Sequence, residues 1–187
     1  MRVLVSGAAE PVSAVADALR ARDAEVTEVV DLADMPAVAG AAGPGAFDSY
    51  VQLPSTFSIA GDTAVRRVHR FYAEGVLARF TALAAALPAL AAPAWLTFVL
   101  GQLPVEVATR DDREARHALV RVLADAARAD ADADLAVRIL EAGTSPADIA
   151  LVALGRDPAR EAVSERLADL SYEELRIELL GLVSVET

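Results

Sequence analysis

Apolar positions along this chain switch repeatedly between a strand period and a helix period. Residues Arg2 to Ser6 (RVLVS) form a short apolar run that stops at Gly7, and Val12 to Leu19 then follow a helical repeat in an alanine-rich segment ending near Arg22 and Asp23. A second strand is expected over Val26 to Val30, closed by Asp31, and Met35 to Gly45 read as a short helix or loop. Ser49 to Leu53 (SYVQL) form a third strand, followed by a Pro-Ser-Thr loop. A long helix is expected from Asp62, a good N-cap, to Leu87. One of its stripes is Val65, Val68, Tyr72, Val76, Phe80, Leu83 and Leu87, and a smoother one is Ala73, Leu77, Thr81 and Ala84. One face suits a sheet and the other a partner.

Trp95 to Leu100 (WLTFVL) is a continuous apolar run, as a strand covered on both faces requires. Asp111 and Asp112 start a helix to about Arg128, with Ala115, Leu119, Val122 and Ala126 expected inward. After a solvated turn at Asp130 to Asp134, Leu135 to Leu140 form another strand. Ser145 then caps a helix over Pro146 to Leu154, with Asp148 in its first turn. Pro158 opens a further helix to about Leu170, and Arg176 to Val185 read as a terminal strand. Strands alternating with helices over residues 1–187 predict one α/β domain: a doubly wound, mostly parallel sheet of about six strands with helices on both faces.

Composition narrows the chemistry. The 187 residues are 55% hydrophobic, enough for a real core, and contain no cysteine, which excludes disulfides, thiolate nucleophiles and Cys-ligated metals. Lysine and asparagine are absent and all 17 basic residues are arginine, a GC-rich, actinobacterial-type composition that also excludes a catalytic lysine. The net charge of −11 is concentrated late, since residues 130–187 carry 13 acidic residues against 5 arginines, and no basic surface for nucleic acid is implied. Phe80 to Leu100 runs 21 residues without a charge, but Pro88 and Pro93 break it into interior helix and strand, so no membrane span is expected. The first residues lack the pattern of a signal peptide, and a cytoplasmic protein is expected.

The opening strand, glycine and helix have the outline of a dinucleotide-binding unit without its further glycines. Glu10, Pro11 and Ser13 stand where those would be sought. A carboxylate at a helix N-terminus repels phosphate, and proline removes a backbone N–H that would cradle one.

In order and spacing the chain resembles the short-chain dehydrogenase/reductase family, whose fold is Rossmann-like, over nearly its whole length. Ser6-Gly7-Ala8-Ala9 is similar to the family's Thr-Gly-Ala-Ser start, and Asp31-Leu32-Ala33-Asp34 to the Asp-Val-Thr-Asp that ends its third strand. Phe47-Asp48-Ser49-Tyr50-Val51 resembles the beginning of its fourth strand, and Ala86-Leu87-Pro88-Ala89-Leu90 the end of its long interface helix. Glu141 to Thr144, followed by Ser145 to Ala150, resembles its Pro-Gly and the helix after it, and Gly181 to Val185 its last strand. On this correspondence one strand and one helix that shape the adenosine pocket are missing after the first helix.

The resemblance also implies where the chemistry should be, and other residues stand there. Gln52-Leu53-Pro54-Ser55 replaces the Asn-Asn-Ala-Gly after the fourth strand, and the helix asparagine falls near Gly75. Gly101 and Gln102 stand at the serine position, and Asp112 and Arg116 at the Tyr-x-x-x-Lys pair. Hydride transfer to a carbonyl needs a phenol to deliver the proton, a cation that lowers its pKa, and a donor to the oxygen. An ionised Asp112 opposes an alkoxide, and an arginine titrates too high to relay protons. No catalytic, cofactor-binding or metal-binding residue is therefore assigned, and no cofactor is expected.

Other candidates have plainer readings. His69 and His117 each neighbour an arginine on a helix and read as solvated or interface histidines. Tyr50 and Tyr72 read as core or interface aromatics, and Arg66, Arg67 and Arg70, with Arg79 beyond, as a solvated charged face. Asp31, Asp34 and Asp48 lie on strand ends and turns without a ligand motif. Gln52, Ser55, Thr56 (with Ser58 beyond) and Gln102 lie at strand ends, where α/β sheets bind ligands, and define a candidate crevice with Glu106 and Asp112 as acid or base. Two functions compete. One is a catalytically silent structural or regulatory subunit, a homodimer or partner of an active dehydrogenase, whose interface by resemblance includes Val68, Tyr72, Leu77, Phe80, Leu119 and Val122. The other is a cofactor-independent enzyme or small-molecule binder of secondary metabolism that uses the crevice. Residual nucleotide sensing ranks third.

Overall fold

A computed structural model describes residues 1–55, 62–101, 110–131 and 134–159. Five described strands make one parallel sheet: β1 (Arg2–Ser6), β2 (Glu25–Val29), β3 (Phe47–Gln52), β4 (Leu90–Val99) and β5 (Leu135–Leu140). Their order is β2-β1-β3-β4-β5. The expected sixth strand, Arg176 to Val185, and most of the helix expected from Pro158 lie outside the described residues. Residue contacts divide the chain into Met1–Gly155 and Arg156–Thr187, and the described sheet belongs wholly to the first unit.

Side-chain parity on the strands builds two cores. Val3 and Val5 of β1 face one way, where α1 (Ala9–Arg20) and α6 (Pro146–Ala153) cover them through Val12, Val15 and Ile149. Leu4 faces the other way with Tyr50, Leu96 and Phe98, beneath α2 (Met35–Ala42) and two longer helical stretches. Helices on both faces of a parallel sheet are the doubly wound arrangement. The Ser145 cap forms as expected: its Oγ accepts from the Asp148 N–H at 3.1 Å.

β2 pairs directly with β1. In the Rossmann order 3-2-1-4-5-6 that place belongs to the second strand, so the missing strand is the outermost of that half. The assignment of this segment to the third strand, made on Asp31 to Asp34, is corrected by its pairing.

The long helix is not uniform. α3 (Ala64–Arg70) leads into a π-helical stretch, Phe71–Leu77, before α4 (Ala78–Ala86) resumes the ordinary turn. The wider π turn shifts the phase of everything before it. The Val65-to-Leu87 stripe therefore does not follow one face: Leu83 is buried, whereas Val65 and Tyr72 are exposed. α4 meets the sheet through Arg79, Ala82, Leu83 and Ala86. On α5 (Arg110–Asp130) the inward residues are Val120, Leu123, Ala124 and Ala127. Val122 is exposed, so the expected inward set was one position out of phase.

Two hydroxyls in the sheet, Ser49 Oγ and Thr97 Oγ1, are buried without a hydrogen-bond partner. Thr97→Val keeps the shape and removes an unsatisfied polar atom. Thermal melts are expected to give a gain of about 1 kcal/mol, and a lower melting temperature would mean the hydroxyl is bonded in solution.

Candidate functional site

Ser6 and Gln52 end β1 and β3 and stand opposite each other in register. Parity turns both, with Tyr50, toward α4, where they build a buried chain of hydrogen bonds. The Tyr50 hydroxyl is 2.8 Å from Ser6 Oγ, and Gln52 Nε2 donates to it at 3.1 Å. The same amide donates to the Arg79 carbonyl at 3.1 Å, while Arg79 Nε donates to Gln52 Oε1 at 3.0 Å. Ser6 and Gln52 are fully buried and Arg79 is 8% exposed.

Burial raises the Tyr50 pKa, with the Ser6 and Gln52 hydrogen bonds and Arg79 opposing, so the phenol stays neutral. Burial lowers the Arg79 pKa, Tyr50 opposing and Arg116 reinforcing the shift. Its guanidinium starts from so high a value that it keeps its charge.

Gln52 is thus corrected from a crevice residue to a core residue, because the last position of β3 points into the helix layer. Ser55 instead lines an open cleft of about 670 Å³ between Val30 and Asp31, beyond β2, and Glu74, Leu77 and Thr81. Thr56 and Gln102 lie outside the described residues. Of the residues named for an interface, Tyr72, Leu77 and Val122 are exposed, whereas Phe80 and Leu119 pack in part against the core. The side chain of Val68 is outside the described set.

The switch in strand order falls between β1 and β3, where an open α/β sheet has its ligand crevice. Here the two loops are zipped together. The Leu53 N–H donates to the Ser6 carbonyl at 2.7 Å, and the Ala8 N–H donates to the Pro54 carbonyl at 2.9 Å. Gly7 makes this closeness feasible: at its φ of 144°, a Cβ would lie 2.7 Å from Leu53 Cβ and 2.9 Å from the Pro54 oxygen. Glu10 and Pro11 occupy the first turn of α1. One turn donor is spent on a carbonyl, one is missing, and a carboxylate stands beside them. These residues do not fit the pyrophosphate of a dinucleotide.

The remaining candidates take structural parts. Asp31 accepts from the Ala33 N–H, Asp48 accepts from the Arg2 N–H, and Arg66 pairs with Asp62 at 3.0 Å. His117 Nε2 lies 3.3 Å from a Glu141 carboxylate oxygen, a partner its sequence neighbours did not reveal. Among the described residues no group of three His, Cys, Asp or Glu side chains is placed to hold a metal, and no helix is long and apolar enough to cross a membrane. The buried polar residue that sequence reasoning missed is Arg79. Its spacing with Ala82, Leu83 and Ala86 was the available signal, since it sits on the apolar side of its helix.

Neither protein-family models nor curated proteins match the chain. Solved structures do. A small-chain dehydrogenase aligns with a TM-score of 0.59 at 19% identity, covering 83% of this chain and 88% of that one. A UDP-glucose 4-epimerase from Stenotrophomonas maltophila, solved with NAD, aligns with a TM-score of 0.50 at 19% identity, over 73% of this chain and 52% of its own. A short-chain dehydrogenase/reductase superfamily protein from Agrobacterium tumefaciens, also with NAD, gives 0.49 at 20% identity over 73% and 48%. The chain therefore spans about half the length of the last two. These likenesses show the fold alone, a Rossmann-like parallel α/β sheet of the kind found in that small-chain dehydrogenase.

Gln52→Leu tests the burial of the network. It strands Arg79 Nε and the Arg79 carbonyl, and a loss of about 2–4 kcal/mol is expected in urea unfolding. A change within about 0.5 kcal/mol, as for a surface residue, would return Gln52 to a solvent-facing crevice.

Proposed function

We propose that this chain is a catalytically silent, shortened member of the short-chain dehydrogenase/reductase family that works as a structural or regulatory subunit in the cytoplasm. The observation that carries this reading is the Ala8-to-Pro54 hydrogen bond, which closes the crevice where the fold would take its nucleotide. The replaced Ser, Tyr and Lys positions point the same way. With its usual chemistry withdrawn, the fold keeps well-packed cores and exposes apolar side chains on two helical stretches. Leu77, in the π-helical stretch, is 59% exposed and Val122 of α5 is 55% exposed. In the family these two helices pack against their counterparts in another subunit. Isolated exposed residues are ordinary, but large apolar side chains on both of the helices that mediate assembly favour a buried position in an oligomer. The occupant proposed for this face is a second copy of the chain, with an active dehydrogenase as the other pairing.

Native mass spectrometry of the purified protein, with and without NAD(P)H, tests this directly. A dimer without a nucleotide adduct is expected, and Leu77→Asp with Val122→Asp should shift the population to monomer. A wild-type chain that stays monomeric and gains no partner in pull-down overturns the subunit reading. A saturable nucleotide adduct overturns the reading of the closed crevice.

A further inference from the structure

Ala73, Leu77 and Thr81, from the smooth stripe of the long helix, line the open cleft of about 670 Å³ beyond β2. Glu74 and Ala78 stand on the same wall. The other wall is the chain leaving β2, Val30 to Ala33, and Ser55 joins from the loop after β3. Small side chains at positions 73 and 78 leave the space open. Ala73, Glu74 and Leu77 belong to the π-helical stretch, and such stretches are rare and concentrate at functional sites.

The lining has an apolar part and an acidic part. Val30 and Leu77 are exposed apolar side chains, and Leu32 beside them is buried. Asp31 and Glu74 bring a carboxylate from each wall, and Ser55 and Thr81 add hydroxyls. Asp31 is held in place, because its Oδ1 accepts from the Ala33 N–H at 2.9 Å. No arginine or histidine of the described residues lines the cleft, and the chain has no lysine. A phosphate or carboxylate ligand would meet like charges here, in a chain already at −11. An ammonium instead carries three donors, for which the two carboxylates and either hydroxyl are acceptors. The apolar side chains around them suit a cation with a hydrocarbon body rather than a bare metal ion.

We infer that this cleft binds a small organic cation, a primary ammonium on an apolar body, with Asp31 and Glu74 as its charge partners. The site goes beyond the subunit reading and does not depend on it. Leu77 belongs both to the cleft wall and to the proposed assembly face, so a bound cation would bias assembly, and assembly would bias binding by the same factor.

The test is calorimetric titration of the full chain with hexylammonium chloride and, separately, with hexanol, sodium hexanoate and adenosine, at constant ionic strength set with sodium chloride. Saturable binding of one hexylammonium per chain is expected, with hexanol weaker by about tenfold or more and hexanoate not binding. Glu74→Gln should weaken hexylammonium by about tenfold, the loss of one charge-assisted hydrogen bond. Asp31→Asn should do the same while its side-chain oxygen still accepts from the Ala33 N–H, which keeps the turn. Asp17→Asn, on α1 across the sheet, should change affinity less than about twofold. Hexylammonium binding that is absent, matched by hexanol, or unchanged in either cleft variant overturns the inference. Saturation by adenosine alone also overturns it and assigns the cleft to a neutral nucleoside. Native mass spectra of the same samples report the oligomeric state, so failure of the cation site is told apart from failure of the subunit reading.

Discussion

A charge that cannot be neutralised by losing its proton is held under the carboxyl edge of the sheet, and much else in the first unit is arranged around it. Taking a guanidinium out of water costs several kcal/mol even after relaxation. Gln52 offsets part of this with its carbonyl oxygen and returns its amide to the Arg79 backbone and the Tyr50 hydroxyl. Ser6 completes the chain from β1. The network ties two strand ends to α4, because Gln52 bonds both the Tyr50 hydroxyl and the Arg79 backbone and side chain. It also explains why the polar residues at these strand ends do not form an open pocket: they are used in solvating Arg79 from within.

The zipped loops after β1 and β3 are a second consequence of the same edge. With Ser6 and Gln52 turned inward, the backbone beyond them is free to pair, and Leu53 and Ala8 both donate across the gap. Gly7 permits the approach. In a nucleotide-binding α/β unit, N–H groups at this helix start point outward at phosphate.

Much of the fold was legible in the chain because its strands are written in two clean periods. Leu135 to Leu140 and the Ser145 cap were read to the residue, since a short apolar run and a Ser-Pro-x-Asp start have few alternatives. The helix faces were harder. A stripe drawn at 3.6 residues per turn from Val65 to Leu87 crosses a π-helical stretch, and no local propensity in Phe71 to Leu77 announces that stretch. Gln52 was misread for a different reason. At the end of a strand the sequence gives the parity but not whether the final polar side chain faces solvent or an overlying helix. Arg79 was grouped with Arg66, Arg67 and Arg70 as a charged face, although its neighbours at three, four and seven positions on are Ala82, Leu83 and Ala86. The apolar context, not the charge run, was the better guide. A buried arginine is uncommon enough that the base expectation runs against it.

β2 is the edge of the described sheet, and its sequence suits that place. A strand that had lost its neighbour would expose an interior pattern, apolar on both faces, and would invite pairing with other chains. β2 does not have that pattern. Of its five residues only Val29 is buried, Glu25 and Glu28 are exposed, and Glu28 is held by Arg20 of α1 at 2.6 Å. Acidic side chains on an edge resist strand addition by another copy. The sequence of β2 is that of an edge strand within the described sheet. Strand addition by another copy at β2 is therefore disfavoured by charge.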